Sequence, residues 1–200
     1  MTYVNWAKGH KRYDRGMEIT QAQKDVRETF MGGFAGQLVS GVLWGVSAAV
    51  ATWHSARMGE WILILGGMLI FPLTQLMLRS MGHAYKLPNG HPMKALGVQV
   101  AFTLPPTFPL VIAIAAFRPG WFYPSLMIVV GAHYLPFVFM YGMWQFAALA
   151  GALIASGVGI AMYFPHSGTM GAWVTAGLLF VSAFVGRQVT RSESREISAS

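Results

Sequence analysis

The 200-residue chain has no cysteine, which excludes disulfides, thiolate zinc sites, iron–sulfur clusters and a cysteine nucleophile. Charge is scarce as well. Only 10% of the residues are Asp, Glu, Lys or Arg, against about 25% in soluble domains. From Pro119 to Gly186 there is none at all over 68 residues. A helix needs roughly 20 mostly apolar residues to cross the hydrocarbon core, so that stretch holds about three crossings with tight connections. The leading segment, Met1 to Glu28, has neither the apolar run nor the small-residue cleavage site of a signal peptide, and the first crossing must itself direct insertion. Missing too are HExxH, GxSxG and a phosphate-cradling glycine loop, so the expectation is a protein that is not an enzyme and carries no cofactor.

What the chain does have is apolar sequence: 54% of residues are hydrophobic and the mean hydropathy is +0.48. The pattern predicts an all-α, polytopic membrane helix bundle with six transmembrane helices. Crossing one runs from Phe30 to Ala56, a short crossing two from Trp61 to Leu78, and crossing three from Ala95 to Phe117. Turn formers at Tyr141-Gly142 and at Pro165-His166-Ser167-Gly168 divide the uncharged block. Crossings four to six then cover Trp121 to Met140, Met143 to Phe164 and Thr169 to Gly186. The organisation is a cytoplasmic N-terminal tail over 1–29, a membrane domain over 30–186 and a cytoplasmic C-terminal tail over 187–200. Within the first tail, Thr20 to Glu28 can form a helix up to the membrane, where its basic residues with Trp6 and Tyr13 would suit an anionic leaflet.

Six crossings place twelve of the fourteen Lys and Arg on one side, leaving only Arg57 and Arg118 on the other. Basic loops are retained in the cytoplasm, so both termini are expected there. The same reasoning accounts for the formal charge of +7 without nucleic acid as a partner. Trp53, Trp61, Trp121, Tyr123, Tyr163 and Trp173 fall at predicted outer ends and Tyr141 and Trp144 at the inner boundary, as an aromatic belt would. Trp44, at mid-span, is expected inside the bundle.

Lipid is as apolar as leucine, so helices in a bilayer meet through small residues and hydrogen bonds. Ala147, Gly151, Ala155 and Gly159 form a smooth stripe in crossing five that should meet another helix, and Gly41 and Gly45 offer a second such surface in crossing one. Packing within the chain and self-association both remain open for these faces. Pro105, Pro106 and Pro109 each delete a backbone donor at mid-depth in crossing three and should kink or interrupt it. Thr103 and Thr107 are hydroxyls placed to serve the carbonyls left behind. Pro136 is expected to bend crossing four.

Among uncharged spans, polar side chains single out candidates. His133 lies near mid-depth in crossing four, with Tyr134 beside it. Gln75, Gln99, Thr103 and Gln145 lie in the spans around it, so a polar ligand-binding cavity open to the cytoplasmic side is one reading, and interhelical hydrogen bonds are the other. A haem needs a second His at matching depth and none exists; His54, Glu60 and His166 on separate outer loops make a weak metal set, so no metal is expected.

Phe71-Pro72-Leu73 at the end of crossing two, the polar loop to Asn89-Gly90-His91-Pro92, a proline-bearing crossing three and Gly131-Ala132-His133-Tyr134-Leu135-Pro136-Phe137 belong together. Over roughly 61–186 the chain resembles a family of small, uncharacterised bacterial multi-spanning membrane proteins. The resemblance implies an architecture and draws attention to His133 and Pro136; it implies no substrate. Two functions are therefore carried forward: binding or transport of a small neutral or amphipathic solute near His133, or service as an accessory or scaffold subunit packing against other membrane proteins. The lipid bilayer is the one partner that both require.

Overall fold

A computed structural model describes residues 18–83 and 86–199, with side chains as far as 192. Trp6, Tyr13, His10 and the first four basic residues lie outside the described residues. All regular structure among the described residues is helical: α1 (Ile19–Phe30), α2 (Phe34–Trp53), α3 (Ala56–Gly67), α4 (Ile70–Ser80), α5 (Met93–Ala101), α6 (Phe108–Phe117), α7 (Phe122–Tyr141), α8 (Gln145–Tyr163) and α9 (Met170–Ala199). Five helical stretches are long and apolar enough to cross a membrane, and six if the bent pair α3–α4 counts as one.

The segment from Thr20 to Glu28 is helical, as part of α1, and it is docked. Ala22 and Val26, one turn apart, are buried, while Gln21 bonds Asp25 at 2.8 Å along the outer face. Gln23 Nε2 donates to Phe139 O at 2.7 Å and Arg27 Nη1 to Tyr141 O at 2.7 Å. These are among the last carbonyls of α7, which have no helical N–H to accept from. Asp25 reaches the buried His91 at 3.4 Å, tying the loop before α5 to α1. Between α1 and α2, three successive residues, Met31, Gly32 and Gly33, take positive φ values of 52°, 64° and 84°. A run of left-handed residues cannot continue a right-handed helix, so α2 starts afresh.

Helices α3 and α4 run back along α2. Gly59 packs on Ser47 and Ala51, Gly66 on Leu43, and Thr74 lies 3.9 Å from the position a Cβ would take at Gly36. The contacts therefore descend the whole of α2, from its end to its beginning. Expected crossing two is thus not one straight span but two half-helices bent by 62° at Met68 and Leu69. Phe71-Pro72-Leu73 opens α4 rather than ending a span, because proline needs no N–H partner in a first turn.

Prolines divide the third span as expected: α5 stops at Ala101, a short turn covers Pro105–Thr107, and α6 follows. Thr103 Oγ1 donates to Val100 O at 2.7 Å and Thr107 Oγ1 to Leu104 O at 2.6 Å. The hydroxyls thus serve carbonyls three residues back within the turn itself. Pro136 does not break its helix. α7 continues past it to Tyr141, with Phe137 packed against Tyr134, Tyr141 and Phe146 so that neighbours hold the local backbone.

The closest helix approaches use other glycines than the stripe singled out in crossing five. A Cβ at Gly131 would lie 2.9 Å from Ala150 O, and one at Gly157 2.8 Å from Pro124 O, where α7 and α8 cross. Ala147, Gly151 and Ala155 face outward, Gly159 is only partly covered, and none of the described residues lies within 4 Å of a Cβ at Gly151 or Gly159. The buried face of α8 carries Phe146, Leu149, Ala150, Leu153, Gly157 and Ile160 instead. Gly41 does meet α9, where a Cβ would lie 3.3 Å from the Phe180 ring, and a Cβ at Gly45 would lie 4.0 Å from Ala176 Cβ.

Two belt residues are core residues. Tyr123 is buried with its hydroxyl 2.8 Å from Ser47 Oγ, and Tyr141 is buried among Phe137 and Phe146. Trp53, Trp61, Trp144, Tyr163 and Trp173 are exposed, and Trp44 is buried as expected. The boundary expected at 186–187 falls inside α9, which runs unbroken to Ala199.

Candidate functional site

One hydrogen bond joins two of the candidate residues. Thr103 Oγ1 and His133 Nδ1 are 2.9 Å apart, linking the broken third span to the middle of α7. The bond exists because α5 ends two residues earlier: the freed turn brings Thr103 across to α7, and about two turns away along α7 Met140 Sδ lies 3.7 Å from where a Cβ would stand at Gly97. His133 is half-buried and its ring lies edge-on to Tyr134 and Phe137 at 5.9 and 5.2 Å.

Thr103 is exposed, as are Gln99 four residues before it and Phe102 beside it. Gln99, in the last turn of α5, and Thr103, in the turn that follows it, are both exposed and with the half-buried His133 make a polar strip at the outer surface of the bundle. Val98, Phe102, Leu110 and Ile112 of the same broken span are exposed apolar residues. Where such a strip faces lipid, no water is at hand and a hydrogen-bonding partner is needed.

The other candidates sit elsewhere. Tyr134 turns away from the strip into the core, its ring stacked on Phe146 at 6.1 Å. Gln75 is half-buried on α4, and no hydrogen bond joins it to His133 among the described residues. Gln145 is buried at the start of α8 against Gly186 of α9, where a Cβ would also come within 2.9 Å of Gly32 O. Its amide nitrogen and oxygen have no partner among the described residues. Of the residues expected around a cavity, Thr103 is joined to His133 by a hydrogen bond, and no bond among the described residues joins Gln75, Gln99 or Gln145 to it.

Sequence reasoning missed two buried polar contacts. Gln37 Nε2 donates to Ser182 Oγ at 3.0 Å, one turn of α9 above Gly186. Ser47 Oγ donates to Gly59 O at 2.8 Å and accepts from Tyr123 Oη at 2.8 Å, pinning α3 and α7 to α2. Isolated polar residues in otherwise uncharged spans were the available signal. Among the described residues no group of three His, Asp or Glu could hold a metal ion; His54, Glu60 and His166 form none.

No curated protein and no solved structure matches the chain. A family model does, over residues 19–187, from the first residue of α1 to one past Gly186, and so takes in α1 and α2 as well as the region of the resemblance. The chain accordingly belongs to the family described as DUF7010, a family of unknown function.

Proposed function

We propose that this is a six-crossing protein of the bacterial inner membrane, with both termini cytoplasmic, that binds or passes a small amphipathic solute at the strip formed by Gln99, Thr103 and His133, without catalysing a reaction on it. The topology rests on which segments meet. α1 touches the loop before α5 and the end of α7, and the turn before α2 packs on α9 at Gly186 and Thr190. All of these belong at one face if α3–α4 traverses the bilayer, and Lys24, Arg27, Arg79, Lys86, Lys94, Arg187 and Arg191 come with them, as cytoplasmic retention demands. Arg57 and Arg118 fall at the opposite end.

The observation that carries the solute reading is the Thr103–His133 bond at a proline-broken span beside exposed polar residues. Broken helices free backbone and side-chain groups for binding at membrane depth. The strip opens sideways, which suits a molecule arriving through the lipid. A photoactivatable long-chain alcohol, irradiated with the protein in nanodiscs, is expected to label residues around Phe102 and His133. The label should fall severalfold in the double variant Thr103→Val, His133→Ala; unchanged labelling there would reject the site.

One observation favours the second reading, an accessory or scaffold subunit. The smooth face of Ala147, Gly151 and Ala155 is left uncovered by the described residues, a surface suited to close contact with another membrane helix. Purification in mild detergent separates the two: stoichiometric membrane partners favour the subunit, and a lone chain that still takes the alcohol favours solute binding.

A further inference from the structure

The proton arrangement at His133 limits what its site can take. Thr103 has one hydroxyl proton and two short contacts, Val100 O at 2.7 Å and His133 Nδ1 at 2.9 Å. If the proton pointed at Nδ1, two oxygens carrying only lone pairs would face each other at 2.7 Å, an unfavourable contact in a medium of low dielectric. If it lies on the way to Val100 O, the hydroxyl keeps a lone pair for an Nδ1–H donor, and both contacts are hydrogen bonds. Only the second arrangement satisfies both. In the neutral imidazole, a proton on Nδ1 leaves Nε2 as a bare acceptor, because the hydrogen bond at one nitrogen fixes the state of the other. No partner for Nε2 occurs among the described residues.

From this we infer that the site selects amphiphiles whose head group donates a hydrogen bond, such as a long-chain alcohol or amide, to His133 Nε2. Head groups that only accept, ethers and phosphodiesters among them, meet a lone pair there and are discriminated against. The surroundings fit such a molecule: Phe102, beside Thr103, is exposed for a chain, and Phe137 lies against the imidazole. The inference rests on the proposed solute site and adds the chemistry of its ligand.

The test uses full-length protein labelled with ¹⁵N-histidine, in phosphatidylcholine nanodiscs, with His133→Gln to assign the resonance. Before any ligand, Nδ1 is expected to be the protonated nitrogen, and Thr103→Ser should keep that tautomer whereas Thr103→Val should release it. Two probes follow, 1-dodecanol and dodecyl methyl ether, matched in length. The alcohol is expected to shift the Nε2 signal saturably and to bind roughly tenfold more tightly than the ether, the worth of one hydrogen bond. Equal effects of the two probes, or a proton found on Nε2 at the start, would overturn the donor rule while leaving the site standing. If neither probe moves any His133 signal, the site itself falls and the rule with it.

Discussion

At Gly157 the backbone of α7 passes so near that a single methyl group decides whether the two helices can pack. A Cβ there would lie 2.8 Å from Pro124 O and 2.9 Å from Ile128 Cγ1, so backbone as well as side chain would have to move. Gly157→Ala is expected to destabilise the bundle by about 1–3 kcal/mol, the usual cost of overpacking a dense contact. Gly151→Ala, with none of the described residues within 4 Å, should stay within about 0.5 kcal/mol of the parent. Thermal unfolding in detergent checks both, and equal losses would show that the two faces of α8 are not distinguished in this way. That distinction was not legible in the sequence. In a soluble helix the apolar face is the buried one, but here both faces are apolar and both carry small residues, so periodicity cannot say which meets protein and which meets lipid. His133 and Thr103 were legible as individuals because polar groups are rare in these spans. That they meet, and that Gln75 and Gln145 do not join them, depends on where α5 ends and how α7 is rotated.

For whole elements, composition told more about some breaks than others. Three prolines within five positions leave the third span little choice, and the break after Ala101 follows from missing N–H groups alone. The bend between α3 and α4 had a quieter signature: Gly66-Gly67 where one helix ends and Pro72 in the first turn of the next. Without a charged residue at the bend, the hydropathy of the pair reads as one short span. The tail helix α1 was legible as a helix but not as a docked one, since its partners are backbone carbonyls of α7, which sequence does not advertise. Its attachment yields a prediction. Arg27→Ala removes the donor to Tyr141 O, a charged hydrogen bond worth about 1.5–3 kcal/mol. Lys24→Ala removes only a half-exposed pair with Glu28 at 3.8 Å, typically worth a few tenths of that. Hydrogen exchange over 19–30 should therefore accelerate at least tenfold in the first variant and barely in the second, while exchange in α8 stays unchanged in both. Acceleration throughout the bundle would mean that α1 unfolds only with the whole.

For the whole molecule, everything turns on whether the bent pair α3–α4 crosses the bilayer or dips in and returns. The two cases assign every later loop to opposite faces. A returning pair would leave α1 and the loop before α5 on different sides of the membrane, yet Asp25 and His91 are 3.4 Å apart. It would also undo the descent of contacts along α2, from Gly59 at Ala51 to Thr74 at Gly36. The absence of cysteine makes the question directly accessible, because any single introduced thiol is the only one in the chain. Four variants suffice: Arg57→Cys, Lys86→Cys, Arg118→Cys and Ser192→Cys. With a membrane-impermeant maleimide applied to intact spheroplasts, Arg57→Cys and Arg118→Cys are expected to label, and Lys86→Cys and Ser192→Cys only after permeabilisation. If Lys86→Cys labels from outside together with Arg57→Cys, the pair returns, five crossings remain, and the clustering of basic residues at one face loses its meaning as a topological signal.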